Sequence, residues 1–327
     1  MEKIVELQNF QHLVGLLNWR GQVNNDQPAV TYLIDGEDEA VEFTYNQLDC
    51  HARAIGTWLQ SMGAQGERVL LMYQPGLEYI ASFFGCLYGG AIAVPAYPPR
   101  RIDHANDRLR GLIEDCTPKF VFAGDEILEK FSTRLEEFPE LQSLHWMTTT
   151  DIPLDDADRW TMPNIDAESI AFLQYTSGST STPKGVIVKH GNIMDNQRTI
   201  KEGYAHDKPT FVTWLPMYHD MGLIGNIMQP LYCGSRTIAM SPTSFLQHPY
   251  RWLRAITKYQ GQTSGAPNFA YDLCSDKITA EEKATLDLSS WTIAYNGAEP
   301  IRSSTLVRFA ESFAECGFNA NALFPCY

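Results

Sequence analysis

A chain of 327 residues, 44% hydrophobic and 20% charged, is sized and composed for one large or two ordinary folded domains. Its formal charge of −14, with no basic cluster longer than Arg100-Arg101, argues against nucleic-acid binding, which needs a basic stripe. Seven scattered cysteines with no Cys-x-x-Cys pair, and eight dispersed histidines, point to a reducing, cytoplasmic setting and away from a metal site.

Met1–Glu6 shows no signal-peptide pattern. Ala29–Ile34 and Glu42–Tyr45 read as strands, with Asp35-Gly36 as a turn signal between them. Leu48, Ala52, Ile55, Leu59 and Met62 recur at three- and four-residue spacing and predict an amphipathic helix that stops at Gly63. From Arg68 onward strands alternate with helices. Val69–Met72, Ala91–Val94 and Phe120–Ala123 are the strands; a segment from Leu77, and the face formed by Leu109, Leu112, Ile113 and Cys116, are the helices. That alternation predicts an α/β fold with parallel sheets flanked by helices. Tyr79–Pro99 carries no charge, but Gly89-Gly90 and Pro95 break it before the roughly 20 continuous helical residues that a membrane span needs. It reads as a buried helix followed by a strand. Residues 147–168, polar and proline-containing, are expected to run over the surface.

Next comes Thr176-Ser177-Gly178-Ser179-Thr180-Ser181-Thr182-Pro183-Lys184-Gly185, between the strand-like runs Ile170–Leu173 and Val186–Val188. It holds six hydroxyl side chains, two glycines, one proline and one lysine, with no large apolar residue to draw it inward. Glycines admit a close ligand, backbone N–H groups can form an anion-binding nest, and Lys184 supplies a point charge. These are the parts of a polyphosphate-binding loop. A flexible surface linker is the plainer alternative. The standard P-loop is excluded, because Gly185 stands where a hydroxyl for magnesium is needed.

Thr210–Leu215, Thr237–Met240, Gln262–Ser264, Trp291–Tyr295 and Ala322–Phe324 read as further strands. Helices are predicted around Trp252, Leu253 and Ile256, and around Leu306, Phe309 and Phe313. Four of these strands are followed by unusual turns: Pro216–Gly222, Gly265–Asn268, Asn296–Pro300 and Pro325–Tyr327. Ligands of open α/β sheets sit beyond the carboxyl ends of strands, so turns of this kind imply one shared site. His219-Asp220 is either an acid–base pair or a structural histidine at a turn. Gly297, Ala298 and Glu299 form either a bare turn or a wall that lets backbone reach a flat base. Tyr327 offers an aromatic face. No Gly-x-Ser-x-Gly elbow supports a serine hydrolase.

Tyr175–Val186 resembles the nucleotide-binding signature of the acyl-adenylate-forming superfamily, which includes acyl-CoA synthetases, luciferases and peptide-synthetase adenylation domains. It departs at Ser181, where the family usually has glycine. Leu17–Gly21, Ala93–Arg100, Trp214–Gly225 and Asn296–Arg302 resemble the fatty acyl-AMP ligase branch. The resemblance implies a large domain with stacked mixed and parallel sheets in two α/β lobes, with residues 66–204 forming one lobe and 10–65 plus 205–327 the other. It implies that Thr176, Ser177, Gly178, Ser179, Thr180, Thr182 and Lys184 hold the ATP phosphates. His219 would lie by the acyl carboxylate, Gly297, Ala298 and Glu299 would line the adenine pocket, and Tyr327 would stack on adenine. The implied reaction joins a fatty-acid carboxylate to the α-phosphorus of ATP, with Mg2+ offsetting phosphate charge and an acyl carrier protein or CoA as acceptor. Polyketide or peptide synthase modules are implied as downstream partners. In the family the magnesium-holding glutamate, the ribose-binding aspartate and the C-terminal lid follow Tyr327, so these 327 residues are expected to be a fragment that adenylates poorly alone. A CoA synthetase and a non-catalytic nucleotide-binding or carrier-docking module are the alternatives.

Overall fold

The structure, a computed structural model, describes residues 7–97, 102–132, 139–176 and 184–326. In chain order its strands are β1 (Pro28–Leu33), β2 (Ala40–Thr44), β3 (Arg68–Met72), β4 (Ile92–Pro95), β5 (Phe120–Ala123), β6 (His145–Met147), β7 (Ile170–Thr176) and β8 (Lys184–Lys189). There follow β9 (Phe211–Thr213), β10 (Thr237–Met240), β11 (Thr263–Ala266), β12 (Ile293–Asn296) and β13 (Leu323–Pro325). The chain divides into two compact units, Met1–Asp26 with Thr44–Arg198 and Gln27–Phe43 with Thr199–Tyr327.

The first unit holds a sheet of order β6-β5-β3-β4-β7-β8. Its strands run parallel, Val69 opposite Ala93 and Phe120, except that β7 and β8 pair antiparallel. Leu70, Met72, Val94 and Val121 are fully buried within its core. The helix Leu77–Tyr88 is buried along all of its length but Glu78, which accounts for the uncharged run seen in the sequence. Among the described residues no helix is long and apolar enough to cross a membrane.

The units differ from the expected lobes of 66–204 and of 10–65 plus 205–327: residues 10–26 and 44–65 pack in the first unit. Glycine explains the contact. A Cβ at Gly85 would lie 2.4 Å from Ile55 Cγ2, one at Gly56 2.8 Å from Tyr88 Cβ, and one at Gly89 2.7 Å from Leu59 Cβ. Without those side chains the helices Tyr45–Ser61 and Leu77–Tyr88 close onto each other, an approach that hydrophobic periodicity does not disclose. Thr44 and Gln47 form a capping box at the start of the first of them. The polar stretch 147–168 is also more tied down than expected. Arg53 Nη1 donates to the Ala157 carbonyl at 2.9 Å and Thr57 Oγ1 to that of Asp156 at 3.0 Å.

The second unit holds a sheet of order β13-β12-β11-β9-β10-β1-β2. From β13 through to β1 its strands pair in parallel. Trp252, Trp291, Tyr271 and Phe309 pack edge-on or stacked in its core. Trp252 Nε1 donates to Ser264 Oγ at 2.8 Å and Trp291 Nε1 to the Ile293 carbonyl at 2.9 Å, so these two indoles are satisfied as well as packed. Parallel pairing brings the carboxyl ends of β9, β11, β12 and β13 to one edge of this sheet. β9 is shorter than the predicted 210–215, because Thr213 Oγ1 captures the Leu215 N–H at 3.1 Å and turns the chain out of the ladder.

Candidate functional site

At the end of β9 the chain folds back on itself. His219 N donates to the Pro216 carbonyl at 3.1 Å, and Leu223 N donates to the His219 carbonyl at 2.8 Å. A Cβ at Gly222 would lie 2.1 Å from Pro216 O, so only glycine closes this turn. His219 caps the short helix Asp220–Leu223. Its Nδ1 lies 2.6 Å from Asp220 Oδ1, which also accepts the Met221 N–H at 2.6 Å. That spacing assigns a proton to Nδ1 and leaves Nε2 for an external group. The hydrogen bond to Asp220, reinforced by its charge, raises the imidazole above its ordinary range against the opposing effect of partial burial. The same bond lowers the Asp220 carboxyl. Both side chains stay open to solvent, at 57% and 51% exposure.

The turns after β11, β12 and β13 are bound to one another. Asn296 Nδ2 donates to the Ala266 carbonyl at 3.0 Å, and Cys326 N donates to the Asn296 carbonyl at 2.9 Å. Asn268 Nδ2 donates to Pro300 O at 2.9 Å while its Oδ1 accepts from Arg302 N at 3.1 Å, so the loop 297–302 is held at both ends. Gly297 is buried, and a Cβ there would meet Cys326 O at 2.5 Å. Ala298 is exposed with φ +67°, a left-handed conformation that costs a non-glycine residue about 1–2 kcal/mol. Glu299 is half-buried.

Two buried polar atoms at this edge, Trp214 Nε1 just past β9 and Asn296 Oδ1 at the end of β12, have no hydrogen-bond partner among the described residues. Buried polar groups are nearly always paired, so such atoms mark places where a ligand or solvent completes the structure. Asn268 and Trp214 lie in stretches that the sequence marked, but Asn226, which bonds both Met221 and Tyr295, lies outside them; its only signal is a proline four residues downstream.

The hydroxyl-rich loop belongs to the first unit. β7 and β8 form a hairpin in which Thr176 pairs with Lys184, so the loop leaves the carboxyl end of β7, as the strand-end argument requires. Lys184 is exposed. Gly185 packs against the Tyr175 ring, where a Cβ would lie 2.8 Å from Cζ. Ser177, Gly178, Ser179, Thr180, Thr182 and Tyr327 lie outside the described residues, and Thr176 is described in its backbone alone. Among the described residues no group of three or more His, Cys, Asp or Glu side chains could hold a metal ion.

Comparison with known proteins gives this geometry a family. The pattern of the AMP-binding enzyme family matches residues 17–327. A medium-chain fatty-acid acyl-carrier-protein ligase of Moorena producens is 40% identical over 97% of this chain and 54% of its own length. A long-chain fatty-acid AMP ligase of Mycolicibacterium smegmatis is 34% identical over 94% of this chain and 50% of its own. The crystal structure of a fatty acyl-adenylate ligase from L. pneumophila, in complex with acyl adenylate and pyrophosphate, superposes with a TM-score of 0.92 at 42% identity, covering 98% of this chain and 56% of that one. The chain thus spans about half the length of the curated relatives it matches. With the family's pattern running through every strand-end turn of both units, this chain belongs to the AMP-binding enzyme family.

Proposed function

We propose that this chain carries the acid- and nucleotide-binding part of a fatty acyl-AMP ligase, which activates a fatty acid with ATP for transfer to an acyl carrier protein. The observation that supports this best is the placement of His219-Asp220 and Gly297–Glu299 on the carboxyl edge of one parallel sheet, in a chain of this family. A carboxylate oxygen of the fatty acid forms a bond to the α-phosphorus, and the bond from that phosphorus to the bridging oxygen breaks, releasing pyrophosphate. His219 presents Nε2 to the incoming carboxylate while Asp220 fixes the ring through Nδ1; a protonated ring offers a charge-assisted hydrogen bond. Gly297, Ala298 and Glu299 line the adenine, with Asn296 Oδ1 open to an amino donor. Thr176–Lys184 of the first unit holds the phosphates, Lys184 as a point charge, and Tyr327 of the second unit stacks on the base. Mg2+ would offset phosphate charge, but the described residues do not form a site for it and no step is assigned to it. Most catalysis of this type comes from positioning and fixed electrostatics, which suits an edge built largely from backbone and amide groups.

The test is exchange of labelled pyrophosphate into ATP by the polypeptide that contains this chain, with acyl-AMP identified by mass spectrometry. Exchange is expected only when a fatty acid is present, with the acyl group then passing to a carrier-protein thiol. Exchange that ignores the fatty acid would refute the substrate class, and faster transfer to free CoA would make the protein a CoA synthetase.

A further inference from the structure

The helix that follows His219 is interrupted. Ile224–Met228 is π-helical, its register closed by Gln229 N donating to Ile224 O. Two residues on, Pro230 has no N–H, so the Asn226 carbonyl four residues before it loses its ordinary helical donor. Thr237 Oγ1 on β10 supplies the replacement at 2.8 Å. Insertions of this type are frequent at functional sites. Here the altered register carries a wholly buried polar side chain, Asn226, whose hydrogen-bonding groups are used at both ends. Nδ2 donates to the Met221 carbonyl at 2.8 Å, inside the turn that carries His219. Oδ1 accepts from the Tyr295 hydroxyl at 2.9 Å.

Tyr295 is the residue before Asn296 and Gly297. Its ring fills the space that a Cβ on Gly265 would need, and its carbonyl accepts from the Tyr271 hydroxyl at 2.9 Å, so it cannot shift without disturbing β11 and β12. Met221 follows the Asp220 carboxylate, and its N–H binds that carboxylate. One amide therefore ties the peptide that orders the His219-Asp220 pair to the strand that leads into the Gly297 turn.

We infer that Asn226 is a positioning residue: it contacts neither proposed ligand, and it sets the placement of the His219 imidazole relative to the Gly297–Glu299 turn. This rests on the functional reading above only for its consequence in catalysis. The coupling itself is a property of the second unit.

The experiment follows the His219 ring directly. The chain, labelled at histidine Cε1, is titrated by NMR as wild type, Asn226→Leu and Tyr295→Phe, with Leu306→Ala as a core variant remote from the turn. In Asn226→Leu the Met221 carbonyl loses its donor, the Asp220 pairing slackens, and the His219 midpoint falls toward the ordinary 6.5. Tyr295→Phe, which keeps the bond to Met221, moves it in the same direction by less, and serves if Asn226→Leu does not fold. Leu306→Ala lowers stability and leaves the midpoint in place. A midpoint unchanged in both turn variants, or moved equally by Leu306→Ala, would overturn the inference. In the polypeptide that performs exchange, the same variants should lose about five- to tenfold in rate, the equivalent of one misdirected hydrogen bond. Absence of exchange in wild type with the titration shifts intact would sink the ligase reading and leave the coupling standing.

Discussion

His190 gives the sharpest test of the first unit. It opens the helix His190–Tyr204, is 2% exposed, and its Nδ1 has no partner among the described residues. The groups that face it are the His12 ring, 6.0 Å away edge-on, and the Asp166 carboxylate. Burial, and to a smaller extent His12, hold its pKa at about 3 against an ordinary 6.5, with Asp166 opposing. The sign follows from proton counting. Below pH 6.5 the unfolded chain binds a proton that the folded chain refuses, so stability is complete above 6.5 and is lost as pH falls toward 3. Between pH 7 and pH 5 the loss is about 2 kcal/mol, at about 1.36 kcal/mol per pH unit below 6.5. Phe at position 190 keeps a ring in the space and removes the titration. Urea unfolding of the first unit, followed at the His12 ring resonance at both pH values, should therefore show His190→Phe losing about 2 kcal/mol less than wild type on acidification. Equal losses in the two proteins, or a His190 resonance that titrates near 6.5, would refute the reasoning.

Three further outcomes follow from the second unit. Asp220→Asn keeps an acceptor oxygen but removes the charge, and with it the charge-assisted bond that raises His219, so its NMR midpoint should fall; the stability that this pair contributes below pH 6.5, lost in wild type as pH rises through the folded pKa, should be reduced in the variant. Gly222→Ala and Gly225→Ala should part company in thermal melts. The first puts a Cβ 2.1 Å from a carbonyl and should cost several degrees, whereas the second meets nothing within 4 Å and should be neutral or gain up to about 1 kcal/mol. Ala298→Gly relieves the φ of +67° but frees the unfolded chain, so stability should change by no more than about 1 kcal/mol while backbone amide exchange at 298–299 speeds up.

Alternation of apolar runs with amphipathic segments was enough to locate most strands within a residue or two, because parallel strands buried on both faces are nearly continuous in hydrophobicity. The helix Leu13–Val23 was not visible that way. Leu13, Val14, Leu16 and Leu17 are all buried, so its first turns show no single apolar face. The partition into units was misread for a different reason. Gly56, Gly85 and Gly89 act by what they lack, and a missing side chain leaves no periodic mark. At the candidate site the turns could be read from their odd composition, but the bonds that hold them could not. Asn226, Asn268 and Asn296 are 30 or more residues from at least one of the groups they bind, and a single sequence carries no record of such pairing.

The second unit also shows why few charged residues are needed at such an edge. Met221, Ala266, Pro300 and Asn296 each offer a backbone carbonyl there; the first accepts a bond from the helix that follows its own turn, and the other three accept bonds that fix one turn to another. Side-chain amides are suited to this, since one group can donate and accept at once without carrying a charge that burial would penalise. With the turns locked by protein bonds, the remaining capacity, Nε2 of His219, Nε1 of Trp214 and Oδ1 of Asn296, is already placed before any ligand binds. A donor left unpaired in a buried setting costs about 1–3 kcal/mol, and that cost is returned when a ligand pairs it. The strain stored at Ala298 belongs to the same account: the loop is held at Asn268 and Cys326, so it cannot relax away from the shape its ends impose. An edge so constrained presents its open polar groups through fixed geometry rather than through net charge.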